Sequence, residues 1–114
     1  GRWYVWLRTL AEDHLANGLF LKLDGQDVVA PQDHPLPGAK AIYLRKSGSI
    51  WYWDPQFLNN SEDHFGPVTI DPSSGTHTLS ITKRKVERPL IDKIVLTRSE
   101  QKPTGMGPAE TPCP

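Results

Sequence analysis

Hydrophobic residues recur at every second position in several parts of the chain, which is the spacing of a β-strand and not of a helix. In the first such run, residues 3–10, the side chains of one face alternate with those of the other: Trp3, Val5 and Leu7 with Tyr4, Trp6 and Arg8. The same spacing predicts six further strands, at residues 19–23, 41–45, 50–53, 68–70, 76–83 and 90–97.

Residues typical of turns and loops separate these runs. Asp24-Gly25 predicts a turn, and residues 71–75 predict another. Residues 26–40 contain several prolines and no periodic pattern, so we expect a long loop there. The one helical phrase, residues 9–17, is short and ends at an Asn-Gly pair, which is a typical helix stop. We therefore expect a connection with at most about two turns of helix in this phrase.

Short strands at even spacing, with turns between them, are typical of an all-β fold, either a β-sandwich or a barrel. The last part of the chain, residues 98–114, is rich in proline and glycine and shows no period. This composition predicts an extended tail or linker. We therefore expect one β-module in residues 1–97, followed by a tail in residues 98–114.

Length and charge restrict the classes of function. The chain has 114 residues, with 13 Lys and Arg against 13 Asp and Glu, so its net charge is zero. A single domain fits this length. Zero net charge argues against binding to nucleic acid or to an anionic membrane, since both need clustered Lys and Arg. The sequence contains no apolar run near the ~18 residues of a membrane span.

The sequence offers little for catalysis or for metal binding. Its four histidines form no zinc-protease motif, and there is neither a nucleophile elbow nor a glycine-rich phosphate loop. Aspartates directly precede histidines at residues 13–14, 33–34 and 63–64, a pattern that we interpret as surface ion pairs. The single cysteine, Cys113, has no partner for an internal disulfide, which leaves an inert tail residue or an intermolecular disulfide. We expect that the protein is not an enzyme.

Several phrases occur in an order that is similar to a known family. They are residues 3–8, residues 19–25, the Trp51-x-Trp53 pair, residues 75–81 and residues 91–97. This order resembles the C-terminal part of the galactose-binding-like β-sandwich modules, especially carbohydrate-binding module families 6 and 35, and it covers residues 3–108. The resemblance implies an antiparallel jelly-roll sandwich in residues 1–97. It also implies a non-catalytic, polysaccharide-binding module of a secreted or cell-surface protein.

The chain departs from the family at its beginning. Modules of these families have further strands before the run that matches residues 3–8, and a jelly roll has roughly eight strands. We therefore expect either a truncated module or one that another segment completes, for instance a strand from a neighbouring chain. The second possibility leads to an alternative function, a structural subunit of an extracellular assembly or filament, whose partners are copies of itself or another chain.

Exposed aromatic side chains would form the sugar-binding surface that the resemblance implies. An aromatic residue near the Trp51-Tyr52-Trp53 run packs against the ligand in these families, and we assign this role first to Trp53 and second to Trp51. The alternative is that both tryptophans belong to the core, because a small sandwich usually buries most of each Trp. Tyr4 could place its hydroxyl at the rim of the site.

Charged residues near the end of the module complete the candidate site. Arg84 and Glu87 lie in the connection between the last two strands, where the resemblance implies polar contacts to ligand; the alternative is a solvated hairpin turn. Asp92 matches the position of a ligand to structural calcium in these families. The acidic residue that an upstream strand contributes to that site is missing here, so we expect no complete calcium site and no other cofactor.

Overall fold

A computed structural model shows an all-β molecule. It describes residues 1–10, 18–30, 37–40, 42–43, 50–54, 56–57, 68–83 and 90–112. These residues contain nine strands and no helix: β1 (Trp3–Leu10), β2 (Gly18–Leu23), β3 (Gln26–Asp27), β4 (Ile42–Tyr43), β5 (Tyr52–Asp54), β6 (Gln56–Phe57), β7 (Thr69–Ile70), β8 (Leu79–Lys83) and β9 (Leu90–Thr97).

The strands form two sheets in which every pairing is antiparallel. In the first sheet, β1 pairs along one side with β9 and along the other with β7 and β5. In the second sheet, β2 pairs along one side with β8 and along the other with β3 and β4, and β4 also pairs with β6. No helix in the described part of the chain is long and apolar enough to cross a membrane.

The two sheets bury a common core. Val5 and Leu7 on β1 cluster with Leu19, Leu21 and Ile42 of the second sheet, and each of these side chains is almost completely buried. Two antiparallel sheets that share one apolar core have the arrangement of a β-sandwich. The predictions of an all-β fold and of antiparallel sheets are therefore confirmed.

Two short strands lie outside the predicted runs. β3 falls within residues 26–40, where the sequence predicts a loop, and β6 follows the predicted strand at residues 50–53. For β3 the cause is the preceding turn, in which Asp24 has a φ of 51° and Gly25 a φ of 82°. Two successive residues of positive φ form the tight turn that joins hairpin strands, and so Gln26 pairs with Leu23. The predicted helical phrase begins inside β1, and its residues 11–17 lie outside the described part of the chain.

The β1–β9 ladder contains an extra residue. Arg8 pairs with Lys93, but Thr9 pairs with Ile91, which leaves Asp92 without an opposite residue on β1. Such a bulge turns two consecutive side chains toward the same side of the sheet. Asp92 can therefore reach the face on which Arg8 and Lys93 lie, while Ile91 packs against the core.

β9 exposes apolar side chains on the face that β1 buries. Ile94 is opposite Leu7 and Leu96 is opposite Val5, and directly opposite residues of an antiparallel pair share a face. Val5 and Leu7 are 1% and 0% exposed, but Ile94 and Leu96 are 49% and 44% exposed. Along its other side, β9 has no strand partner among the described residues. We call this region, from Leu90 to Thr97, the β9 edge.

Candidate functional site

The face of the first sheet that points away from the core gathers most of the predicted site residues. The register places Tyr4 opposite Thr97 and Arg8 opposite Trp53 on this outer face. Trp51 directly precedes β5, and its ring lies beside Arg8 on the same face. Tyr4 and Trp51 are half-buried, whereas Trp53 is only 6% exposed.

Arg8 connects two of the predicted residues, although sequence reasoning did not assign it a role. Its guanidinium carbon lies 5.1 Å from the centre of the Trp51 ring, a distance at which a cation and an aromatic face attract each other. The same guanidinium donates a hydrogen bond to the Asp92 carboxylate and forms an ion pair with it. The available sequence signal was a single cation on the outer face of an otherwise apolar strand.

The tail covers Trp53. The indole Nε1 donates a hydrogen bond to the carbonyl oxygen of Gly105 over 3.0 Å, and Gly107 lies against the six-membered part of the ring. A sugar could contact the face of Trp53 only after this part of the tail had moved. The role of Trp53 in ligand binding stays a prediction, and Trp51 is the more accessible of the two tryptophans.

Polar contacts also connect the outer face to the end of β9. Trp6 Nε1 donates a hydrogen bond to the Thr97 hydroxyl over 2.9 Å, and that hydroxyl donates to the carbonyl oxygen of Ser99 over 2.7 Å. Trp6 itself is buried. Its indole hydrogen is therefore satisfied within the protein, as expected for a buried polar group.

The surroundings of Asp92 do not fit a calcium ion. Its carboxylate already pairs with Arg8, whose positive charge would repel a second cation. Calcium binds six to eight oxygen atoms in typical sites. Among the residues that the structure describes, no group of three or more His, Cys, Asp and Glu side chains is arranged to hold a metal ion.

Several predicted residues lie outside the described part of the chain. They include Arg84 and Glu87 from the proposed polar loop, Cys113, and the three sequential Asp-His pairs at residues 13–14, 33–34 and 63–64. Their assignments stay predictions.

An Asp–His contact does form, between residues that are far apart in the sequence. His77 Nδ1 lies 2.5 Å from Asp24 Oδ2, and His77 Nε2 lies 2.7 Å from the carbonyl oxygen of Ser73. The other carboxylate oxygen of Asp24 accepts a hydrogen bond from the Thr78 amide over 2.8 Å. Because both partners of the imidazole are acceptors, both ring nitrogens donate, which requires the protonated form.

Hydrogen bonding and charge shift the pKa values of both His77 and Asp24. The hydrogen bond to the Asp24 carboxylate, followed by the one to the Ser73 carbonyl, raises the pKa of His77 above its ordinary value. The hydrogen bond from the Thr78 amide, followed by the one from His77, lowers the pKa of Asp24. The ion pair joins the β2–β3 turn to the loop before β8. It therefore connects two segments that are far apart in the sequence.

Comparison with family models, with curated protein sequences and with solved structures gave no match. The resemblance to carbohydrate-binding modules therefore depends on the sequence phrases themselves.

Proposed function

We propose that the chain is a non-catalytic carbohydrate-binding module of a secreted or cell-surface protein, with a jelly-roll, galactose-binding-like sandwich. The observation that supports this function is the group formed by Trp51, Arg8 and Asp92 on the outer face of the first sheet. It combines an aromatic side chain with a donor and an acceptor at the protein surface.

Each member of this group suits one feature of a sugar. The apolar C–H side of a pyranose packs against an aromatic ring, a contact to which Trp51 would contribute. Hydroxyl groups both donate and accept hydrogen bonds, so the Asp92 carboxylate would accept from one hydroxyl and the Arg8 guanidinium would donate to another. The Arg8–Asp92 pair holds both groups in position before the ligand arrives, which lowers the entropy lost on binding.

A titration with a panel of soluble polysaccharides tests this function. Trp fluorescence and calorimetry should report binding of at least one glycan, and Trp51→Ala should weaken that binding about tenfold or more, a loss of roughly 1.4 kcal/mol or more. Asp92→Asn should also weaken it, since the charged acceptor is lost. Asp71→Asn is the matched control, because this exposed carboxylate contacts only the chain's amino group in the described structure.

Two results would contradict the proposal. The first is a panel that produces neither heat nor a fluorescence change. The second is a bound glycan whose affinity is the same for the wild type, Trp51→Ala and Asp92→Asn. Denaturation curves of each variant would show that it is folded at the temperature of the titration.

The β9 edge favours a second candidate function, a structural subunit that a strand from a neighbouring chain completes. An unpaired edge with apolar side chains beside it is a typical site for adding a strand. Such a strand would cover Ile94 and Leu96, and it would pair with the side of β9 that has no strand partner among the described residues. The expected occupant is an extended segment with apolar residues at alternate positions.

Solution mass and hydrogen exchange test this second function. A subunit completed by its neighbour should have the mass of an oligomer and slow exchange along β9. Leu96→Lys should reduce the mass to that of a monomer and accelerate the exchange. Val29→Lys is the matched control, because Val29 is 43% exposed, close to the 44% of Leu96, but lies outside β9. A monomeric wild type would contradict this function.

A further inference from the structure

The tail is bound to the outer face by an organised set of contacts. Lys93 Nζ donates hydrogen bonds to the carbonyl oxygens of Met106, over 3.0 Å, and of Pro108. Trp53 Nε1 donates to the Gly105 carbonyl. Three carbonyl groups within four residues of the tail are thus bound by only two side chains.

Trp53 lies on β5 and Lys93 on β9, with β1 between them. Both residues are at the same level along the strands, in one row across the sheet. Arg8 is opposite Trp53 on one side and opposite Lys93 on the other. Neighbouring strands are ~4.8 Å apart, so the row spans roughly 10 Å. The sheet therefore fixes the distance between the indole donor and the ammonium donor, and the tail crosses this row.

The tail has a matching shape. The Gly107 amide donates to the Thr104 carbonyl over 2.8 Å and closes a turn, in which Gly105 has a φ of 54°. Gly107 has a φ of 76°, and a Cβ at this position would lie 2.6 Å from Cζ2 of Trp53. Only glycine allows the backbone to approach the ring this closely. The Met106 side chain contributes little to this contact, since it is 66% exposed.

We propose that Trp53 and Lys93 form a peptide-binding site for a short glycine-containing turn, and that the segment Gly105–Pro108 is its ligand. The site binds backbone carbonyl groups of the peptide. It also requires a glycine where the peptide contacts the indole, because a side chain at that position would collide with the ring. The chain's own tail occupies it in the described structure, and the same segment of a second copy would satisfy the same contacts. This inference does not depend on the sugar-binding function.

The covalent connection explains why the tail is the resident ligand. A tethered ligand has an effective concentration in the millimolar range for a short flexible link. An added peptide of the same sequence therefore competes poorly in the wild type. It should bind once the tail itself has been made a poor ligand.

Nitrogen-15 spectra of the tryptophan indoles provide the test, with the full chain as the protein. The Trp53 signal is assigned with Trp53→Phe. Gly107→Ala should release the tail and shift the Trp53 signal. A synthetic peptide of residues 102–112, added to Gly107→Ala, should return the signal toward its wild-type position. The same peptide with alanine at position 107 should bind at least about tenfold more weakly.

Two control variants distinguish changes in the tail segment from changes in the site that binds it. Gly105→Ala also places alanine at a positive φ, but its Cβ would meet nothing within 4 Å, so the Trp53 signal should change much less. Lys93→Met alters the site and should shift the Trp53 signal as Gly107→Ala does, but the added peptide should not restore it. An unchanged Trp6 signal would confirm an intact fold in all variants.

Either of two results would overturn the proposal. One is a Trp53 signal that is identical in the wild type and in Gly107→Ala, which would mean that the tail does not contact the indole. The other is a Gly107→Ala chain whose shifted Trp53 signal does not respond to the added peptide at millimolar concentration. Equal binding of the two peptides would also contradict the assigned specificity for glycine.

Discussion

β1 and β9 are adjacent strands of eight residues each, and their apolar side chains are directly opposite, but the two strands have different surroundings. Leu7 on β1 is buried beneath the second sheet, whereas Ile94, its partner on β9, is half exposed. Both positions carry a large aliphatic side chain. Burial therefore depends on what lies across from a strand, and in the described part of the chain the second sheet covers Leu7 but leaves Ile94 half exposed.

The largest expected change in stability comes from truncating Leu7 and Ile94, the two opposite residues of β1 and β9. Leu7→Ala should lower the free energy of unfolding by about 2–5 kcal/mol, because it leaves a cavity in the core. Ile94→Ala should cost much less, about 1 kcal/mol, since roughly half of its side chain is already in water. Urea denaturation of both variants measures the difference. Equal costs would show that another segment covers Ile94 in solution.

The next largest change in stability is expected on the outer face of β1 and β9, at the hydrogen bond between Trp6 and Thr97. Thr97→Val should lower the free energy of unfolding by about 1–3 kcal/mol, because the indole hydrogen of buried Trp6 loses its acceptor. Thr97→Ser keeps the hydroxyl and is the control, and it should remain close to the wild type in the same urea experiment. Similar losses in both variants would assign the effect to the Thr97 methyl group instead.

A smaller effect is expected at the bulge. Asp92→Asn removes the charge that pairs with Arg8 but keeps the size of the side chain, and it should cost about 0.2–1 kcal/mol at low salt. The loss should decrease at high ionic strength because salt screens a partly exposed pair. A loss that does not change with salt would show that the charge attraction is not its cause.

The smallest effect is a pH dependence that arises from the Asp24–His77 contact at the second sheet. The raised pKa of His77 stabilises the fold below the ordinary value of about 6.5, and this contribution is lost as the pH rises through the folded-state pKa. The lowered pKa of Asp24 stabilises the fold above its ordinary value of about 3.9, and this contribution is lost as the pH falls through the folded-state pKa. The contact is therefore strongest between these two values.

Melting temperatures at two pH values test the direction in which stability changes with pH. Raising the pH from about 6 to about 8 should lower the stability of the wild type, and His77→Gln should remove that decrease. Since the contact lies in the second sheet and its loops, the difference between Leu7→Ala and Ile94→Ala should be the same at both pH values. A His77→Gln protein with the wild-type pH dependence would contradict the assignment.

The sequence predicts the strands that have an alternating pattern. β1 and β9 match their predicted bounds at residues 3–10 and 90–97, because each contains a run of β-branched, aromatic and other apolar residues. β3 has no such signal, since Gln26 and Asp27 are both polar. It forms because the Asp24-Gly25 turn brings these two residues back along β2.

The candidate site was predictable only in part. A tryptophan at position 53 suggests an aromatic surface, but its coverage depends on the backbone of Gly105 and Gly107, which no side-chain pattern reveals. The ion pair of Asp24 with His77 joins residues 53 positions apart. Such a pairing follows from the tertiary fold, whereas the Asp-His neighbours in the sequence have no fixed geometry.

The bulge at Asp92 shows that this strand accommodates a one-residue change in length. In an unbroken strand, residues separated by an odd number of positions face opposite ways, yet Ile91 and Ile94 both belong to the inner side. The bulge absorbs the extra residue and keeps both on that side. Without Asp92, Ile91 would be two positions from Ile94 and would still be opposite Thr9 in a regular ladder, so a deletion of Asp92 should remove the ion pair with Arg8 but keep Ile91 on the inner side.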